Sequence, residues 1–170
     1  MSQFEYISVA VSLVYSLVLA KLLGAIPVAV HGEKRYWIHT LWIVNLVLAC
    51  MASWWALWSL REIVWGPAQF LAVFAFPSII YLRATVLLTD EPREVRSWSE
   101  HYYGSRRPFF LLGVLGAANL AMSPRLIMGE PQAILVTVGA AVFGVISGLA
   151  AFSESPKVHA AVAVLSFIAF

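Results

Sequence analysis

Charge is the scarcest ingredient of this chain. Only 12% of its residues are Asp, Glu, Lys or Arg, 61% are hydrophobic, and the mean hydropathy is +0.83. A domain folded in water carries about a quarter charged residues, so that class is excluded and lipid is the solvent. Cysteine is nearly absent too. Cys50 stands alone, which rules out an intrachain disulfide and a thiolate metal site and leaves the thiol as a small packed hydrophobe. Basic clusters are also lacking, and a net charge of +2 dispersed along the chain excludes a nucleic-acid partner. No polar stretch is long enough to fold apart, so residues 1–170 read as a single integral membrane domain.

Several functional signatures are missing as well. There is no potassium-filter sequence, no voltage-sensor series of arginines, no HxxxH or HExxH, and no paired intramembrane acids. Around Ser147 the chain reads Gly144-Val145-Ile146-Ser147-Gly148, one residue out of register with the GxSG of rhomboid-like proteases.

What is present is a succession of apolar runs at 4–23, 37–60, 67–88, 108–127, 131–152 and 157–170, the first extendable toward Val30. A bilayer core of about 30 Å needs about 20 helical residues, so the expected fold is an all-α polytopic bundle of six transmembrane helices. The first run is read as a retained helix. Met1 to Tyr6 has no Lys or Arg and contains Glu5, and the run itself contains Lys21, none of which suits a signal peptide. The last run spans roughly 21 Å at 1.5 Å per residue. It is expected either to continue in a longer chain or to stop short of the far headgroups. Pro67, Pro108, Pro131 and Pro156 are read as helix starts, and Pro77 as a kink inside the third span.

The cations alternate by side. Lys34 and Arg35, then Arg93, Arg96, Arg106 and Arg107, then Lys157 fall on every second connection, whereas Arg61 and Arg125 are alone on the other. The positive-inside rule places the richer side in the cytoplasm and the N-terminus outside. The location that follows is the membrane, specifically a bacterial inner membrane. Within the cytoplasmic connector 89–107, Thr89 or Asp90 marks the start and Gly104 the end of an expected short interfacial helix, with Trp98, Tyr102 and Tyr103 on its apolar side.

Helices in lipid associate through small residues. Ser8, Ser12, Ser16, Ala20 and Gly24 recur every fourth position in the first run, Gly113, Ala117 and Ala121 in the fourth, and Gly144 and Gly148 in the fifth. They are expected to pack helices within the bundle or to mediate self-association. The candidate site residues are the polar groups inside spans. Lys21 and Arg83 are costly to bury and stand toward the cytoplasmic ends; Tyr15, Asn45 and Asn119 are mid-span; His39 and His159 lie just inside their spans and form a conceivable axial pair for haem or a metal. Ser147 and His159, at similar depth, make a minimal Ser–His pair for an intramembrane hydrolase, the one enzymatic reading. No cofactor, metal site or catalytic residue is expected.

Two functions from different classes follow. One is a small oligomeric channel or permease in which Lys21 and Arg83 form a positive cytoplasmic vestibule for a small anion or acidic headgroup. The other is a non-catalytic accessory or assembly subunit docked on another membrane protein. The lipid bilayer is a partner in either case.

Overall fold

The computed structural model describes residues 2–30, 35–89, 91, 94–129 and 134–170. Six helices follow in order: α1 (Gln3–Val30), α2 (Trp37–Ala56, prolonged by a 3-10 turn over Leu57–Leu60), α3 (Pro67–Leu87), α4 (Trp98–Met128), α5 (Ile134–Phe152) and α6 (Pro156–Ile168). No strand occurs among the described residues. The first five are long and apolar enough to cross a membrane, giving an integral-membrane helical bundle; α6 is apolar but has 13 residues.

Local chemistry sets several helix ends. Pro67 and Pro156 occupy first turns, where an N–H would lack an intrahelical acceptor anyway. Gln69 Oε1 accepts from the Gly66 amide at 3.1 Å. Ser97 Oγ caps α4 by accepting the Glu100 N–H at 3.4 Å. At the other end of α4, Gly129 takes a left-handed φ of 71°, where a Cβ would be strained, and its N–H returns to the Arg125 carbonyl at 3.1 Å. Pro131 and the start assigned to the fifth run lie outside the described residues.

The connector differs from expectation. No separate interfacial helix ends at Gly104; α4 starts at Trp98 and continues without interruption through Gly104 and Pro108, which is therefore not a helix start. The reason is a continuous buried face. Trp98, Tyr102, Phe109, Gly113 and Gly116 recur at helical spacing and are all buried, so packing outweighs the breaking tendency of one glycine and one proline.

α2 lies at the centre of the helix arrangement, touching α1, α3, α4 and α6; α4 packs on α3 and α5, and α1 on α2 and α3. One end of the bundle gathers the end of α1, the starts of α2, α4 and α6, and the ends of α3 and α5. We call it the basic end, after Arg35, Arg96, Arg106, Arg107 and Lys157. Trp42, Phe109 and Phe110 form an aromatic nucleus toward this end, with ring centroids 5.1–5.4 Å apart in edge-to-face pairs.

The small-residue stripes behave differently from one another. On α4 and α5 they face each other: a Cβ built at Gly144 would stand 3.3 Å from the Ala117 Cβ, and one at Gly148 would stand 3.9 Å from Val114 Cγ2. On α1 the buried face is Ile7, Val11, Tyr15, Val18 and Leu22, while Ser16, Ala20 and Gly24 are exposed. Ser12 Oγ accepts from the Trp54 indole at 3.2 Å, and Ser8 bonds its own helix at Glu5. The α4–α5 contact therefore predicts that Gly144→Ile lowers stability by about 1–3 kcal/mol through overpacking. Gly139→Ile, where a Cβ meets nothing within 4 Å, should not. Thermal melting of both variants in detergent checks this; equal melting temperatures would refute close packing at 144.

Candidate functional site

Two groupings of polar side chains lie toward the basic end, and they are distinct. The first is built on Arg83. Ala72, Val73, Ile79, Ile80, Ala84 and Leu87 form the buried side of α3, and Arg83 falls among them, leaving it 8% exposed. Its guanidinium carbon sits 4.4 Å from the Phe109 ring centroid, 5.3 Å from that of Trp42 and 5.9 Å from that of Phe143. These faces attract a cation. Yet Arg83 Nε and Nη2 have no hydrogen-bond partner, and neither does the nearby Ser147 Oγ, which is fully buried. Ser147 Oγ and Arg83 Nη2 converge on Gly113. The Cβ position of that glycine is 3.3 Å from Ser147 Oγ and 3.5 Å from Arg83 Nη2.

Beside it runs a chain of hydrogen bonds with a definite direction. His159 Nε2 is 3.0 Å from the Ser153 carbonyl, which can only accept, so Nε2 carries the proton in the neutral ring. Nδ1 is then an acceptor, and the Tyr102 hydroxyl, 3.0 Å away, donates to it. The Trp42 indole N–H donates in turn to Tyr102 Oη at 3.2 Å. One phenol thus joins α2, α4 and α6. Both His159 nitrogens are engaged, and Ser147 makes no bond to it, so the Ser–His pair of a hydrolase is not assembled.

His39 belongs to the second grouping. It donates through Nε2 to the Leu87 carbonyl at 3.0 Å, a group that His101 also approaches at 3.1 Å, and it stacks on Trp98 with centroids 4.6 Å apart. The Leu87 carbonyl is in the last turn of α3, where helical acceptors lack internal donors, so two imidazoles satisfy it from α2 and α4. His39 and His159 share no bond or ring contact, and the expected axial pair does not form. Among the described residues no group of three or more His, Cys, Asp or Glu is placed to hold a metal. His31 lies outside them.

His39 and Trp98 also line a cavity of about 230 Å³, with Lys21, Gly24 and Ala29 of α1 and Thr89 beyond α3. A second hollow, of about 370 Å³, flanks the other side of α1's end and is lined by Ala29, Arg35, Trp37 and Thr40 among others. Each combines one cation, one indole and an apolar wall. None of Arg83's ring or glycine neighbours lines either hollow. Lys21 and Arg83 therefore do not form one vestibule: they face different surroundings.

The other sequence candidates act as cross-links. Asn45 Nδ2 donates to the Ala163 carbonyl at 2.9 Å and Asn119 Nδ2 to that of Ala72 at 3.4 Å. Tyr15 is buried against α2, with its carbonyl 3.9 Å from Cys50 Sγ. Tyr36, just before α2, meets the Tyr103 hydroxyl of α4 at 3.0 Å; burial first, then Tyr103, raise the Tyr36 phenol above its ordinary range and keep it neutral. Arg106 pairs with Glu154 at 2.6 Å, joining α4 to the α5–α6 connection. Trp42 and Tyr102 are neighbours of the site that sequence reasoning missed, since it assigned Tyr102 to a surface helix. The i, i+4, i+11 spacing of Trp98, Tyr102 and Phe109 is the signal that reveals them.

No family model matches this chain, and no curated protein or solved structure is found similar to it.

Proposed function

We propose that this is a small polytopic protein of a bacterial inner membrane, its basic end in the cytoplasm and its N-terminus outside, that takes up an acidic headgroup or small anion at that end and passes it across the bilayer as an oligomeric permease. The observation that carries this reading is the cavity of Lys21, with Trp98 and His39 on one wall and the small and apolar residues of α1 on the other. Cation, indole and apolar wall together suit an anion carried on an amphiphile, because tail and charge are accommodated side by side. The exposed stripe Ser16–Ala20–Gly24 leads along α1 to the same place, Gly24 being part of the cavity lining. The positive-inside rule supports the orientation.

A lysine near a membrane surface attracts an acidic lipid by about 1 kcal/mol, so reversing it should cost about twice that, roughly thirtyfold in affinity. Lys21→Glu is expected to weaken binding of phosphatidylglycerol by that factor in nanodiscs and to slow its movement in liposomes. Inorganic phosphate competing with the lipid would identify a free anion as the cargo; phosphate without effect identifies the headgroup. Binding that ignores both lipid charge and Lys21→Glu would refute the reading. Crosslinks to another membrane protein would then favour an accessory subunit.

A further inference from the structure

We propose that Arg83, Ser147 and Gly113 form an occluded binding site for a single halide ion, separate from the Lys21 cavity and independent of the reading attached to it. A guanidinium does not give up its proton in a protein, so Arg83 is a full positive charge wherever it lies. Here it lies nine-tenths buried, within a spanning helix, and no carboxylate hydrogen-bonds it or pairs with it among the described residues. Buried charges are normally paired, because desolvation otherwise makes them very costly. The rings of Phe109, Trp42 and Phe143 offset part of that cost, but a ring face accepts no strong hydrogen bond in the plane of the guanidinium. Nε and Nη2 are both left over.

The identity of the ligand follows from the donors. Arg83 offers N–H groups and Ser147 an O–H, and Nη2 and Oγ both lie against α4 where Gly113 supplies no side chain. A ligand there must accept several hydrogen bonds at once and carry negative charge. It must also be small, for a Cβ at Gly113 already stands only 3.3 Å from Ser147 Oγ. A monatomic anion meets all three conditions. A water molecule satisfies the hydrogen bonds but leaves the charge, and a tetrahedral oxyanion presents more oxygens than these donors can serve. Ser147, which the hydrolase reading would make a nucleophile, acts here as a donor.

The test uses the whole chain purified in detergent, melted at constant ionic strength in sodium gluconate, chloride or bromide. Chloride and bromide are expected to raise the melting temperature over gluconate, the unfolding equilibrium shifting about a hundredfold at a hundred times Kd. Ser147→Ala, which removes one hydrogen bond to an anion, should weaken halide affinity about tenfold. Arg83→Gln should abolish the halide dependence. If Arg83→Gln does not fold, crystals of the unaltered protein grown in bromide decide: an anomalous peak within hydrogen-bonding distance of Arg83 and Ser147 supports the site. Equal melting in gluconate and bromide overturns it, as does a halide effect that survives in Arg83→Gln or the absence of that peak.

Discussion

Arg83→Glu is expected to lose about 4 kcal/mol of stability at pH 7, most of what a protein of marginal stability has, while Arg83→Met in halide-free buffer melts at or above the temperature of the unaltered protein. The two substitutions remove the same cation but leave different things behind. A carboxylate at 83 would face ring surfaces whose quadrupoles repel anions, close to Phe109, Trp42 and Phe143. Its way out is to take up a proton, and that costs about 1.4 kcal/mol for each pH unit above about 4.3, which sets the ceiling near 4. Methionine has neither problem. Exchanging an uncompensated buried charge for an apolar side chain of similar length is commonly neutral or stabilising by about 1–4 kcal/mol. Chemical denaturation in detergent measures both. A methionine variant that is much less stable without halide would mean that the ring faces alone compensate the guanidinium.

Tyr102→Phe ranks second, with an expected loss of about 2–3 kcal/mol. Its hydroxyl serves two partners, and both are fully enclosed: Trp42 is 1% exposed and His159 0%. Removing it leaves a buried N–H and a buried ring nitrogen, each costing about 1–3 kcal/mol when left without water or another partner. Hydrogen bonds between membrane helices average only about 0.6 kcal/mol because partners are readily replaced. Here the phenol sits between two rigid rings, so replacement is harder and the upper range applies. The accompanying measurement is a double-mutant cycle of Tyr102→Phe with His159→Leu. Strong non-additivity is expected; simple additivity would show that the two residues are not energetically joined.

The spans were legible in the sequence because crossing a bilayer is a demand on length and apolarity, both of which can be counted. Depth was legible for the same reason: Lys21, Arg83, His39 and His159 all stand toward the basic end. Rotation about the helix axis was not. In water an apolar face marks the inside, but in lipid both faces are apolar, as on α3, where exposed Leu71 and Leu82 differ in no composition from buried Ile79 and Ile80. This is why Lys21 and Arg83 were joined into one vestibule although one lines a cavity beside α1 and the other is enclosed by α2, α4 and α5. The α1 stripe misled in the same manner: its spacing is that of a contact, yet a Cβ at Gly24 would meet nothing within 4 Å. On α4 the error ran the other way, where Gly104 and Pro108 read as punctuation and the aromatic face beneath them carried the helix through.

The cross-links of α2 also order events in time. This helix is synthesised before its partners: Asn45 waits for the carbonyl of Ala163 and Trp42 for a phenol on α4 that is itself oriented by His159. Both depend on α6, which is made after them. Until it arrives, the Asn45 amide and the Tyr102 hydroxyl that receives the Trp42 indole lack the α6 partners they have in the folded bundle. A helix of only 13 residues thus supplies the partners that hold α2 and α4 in register.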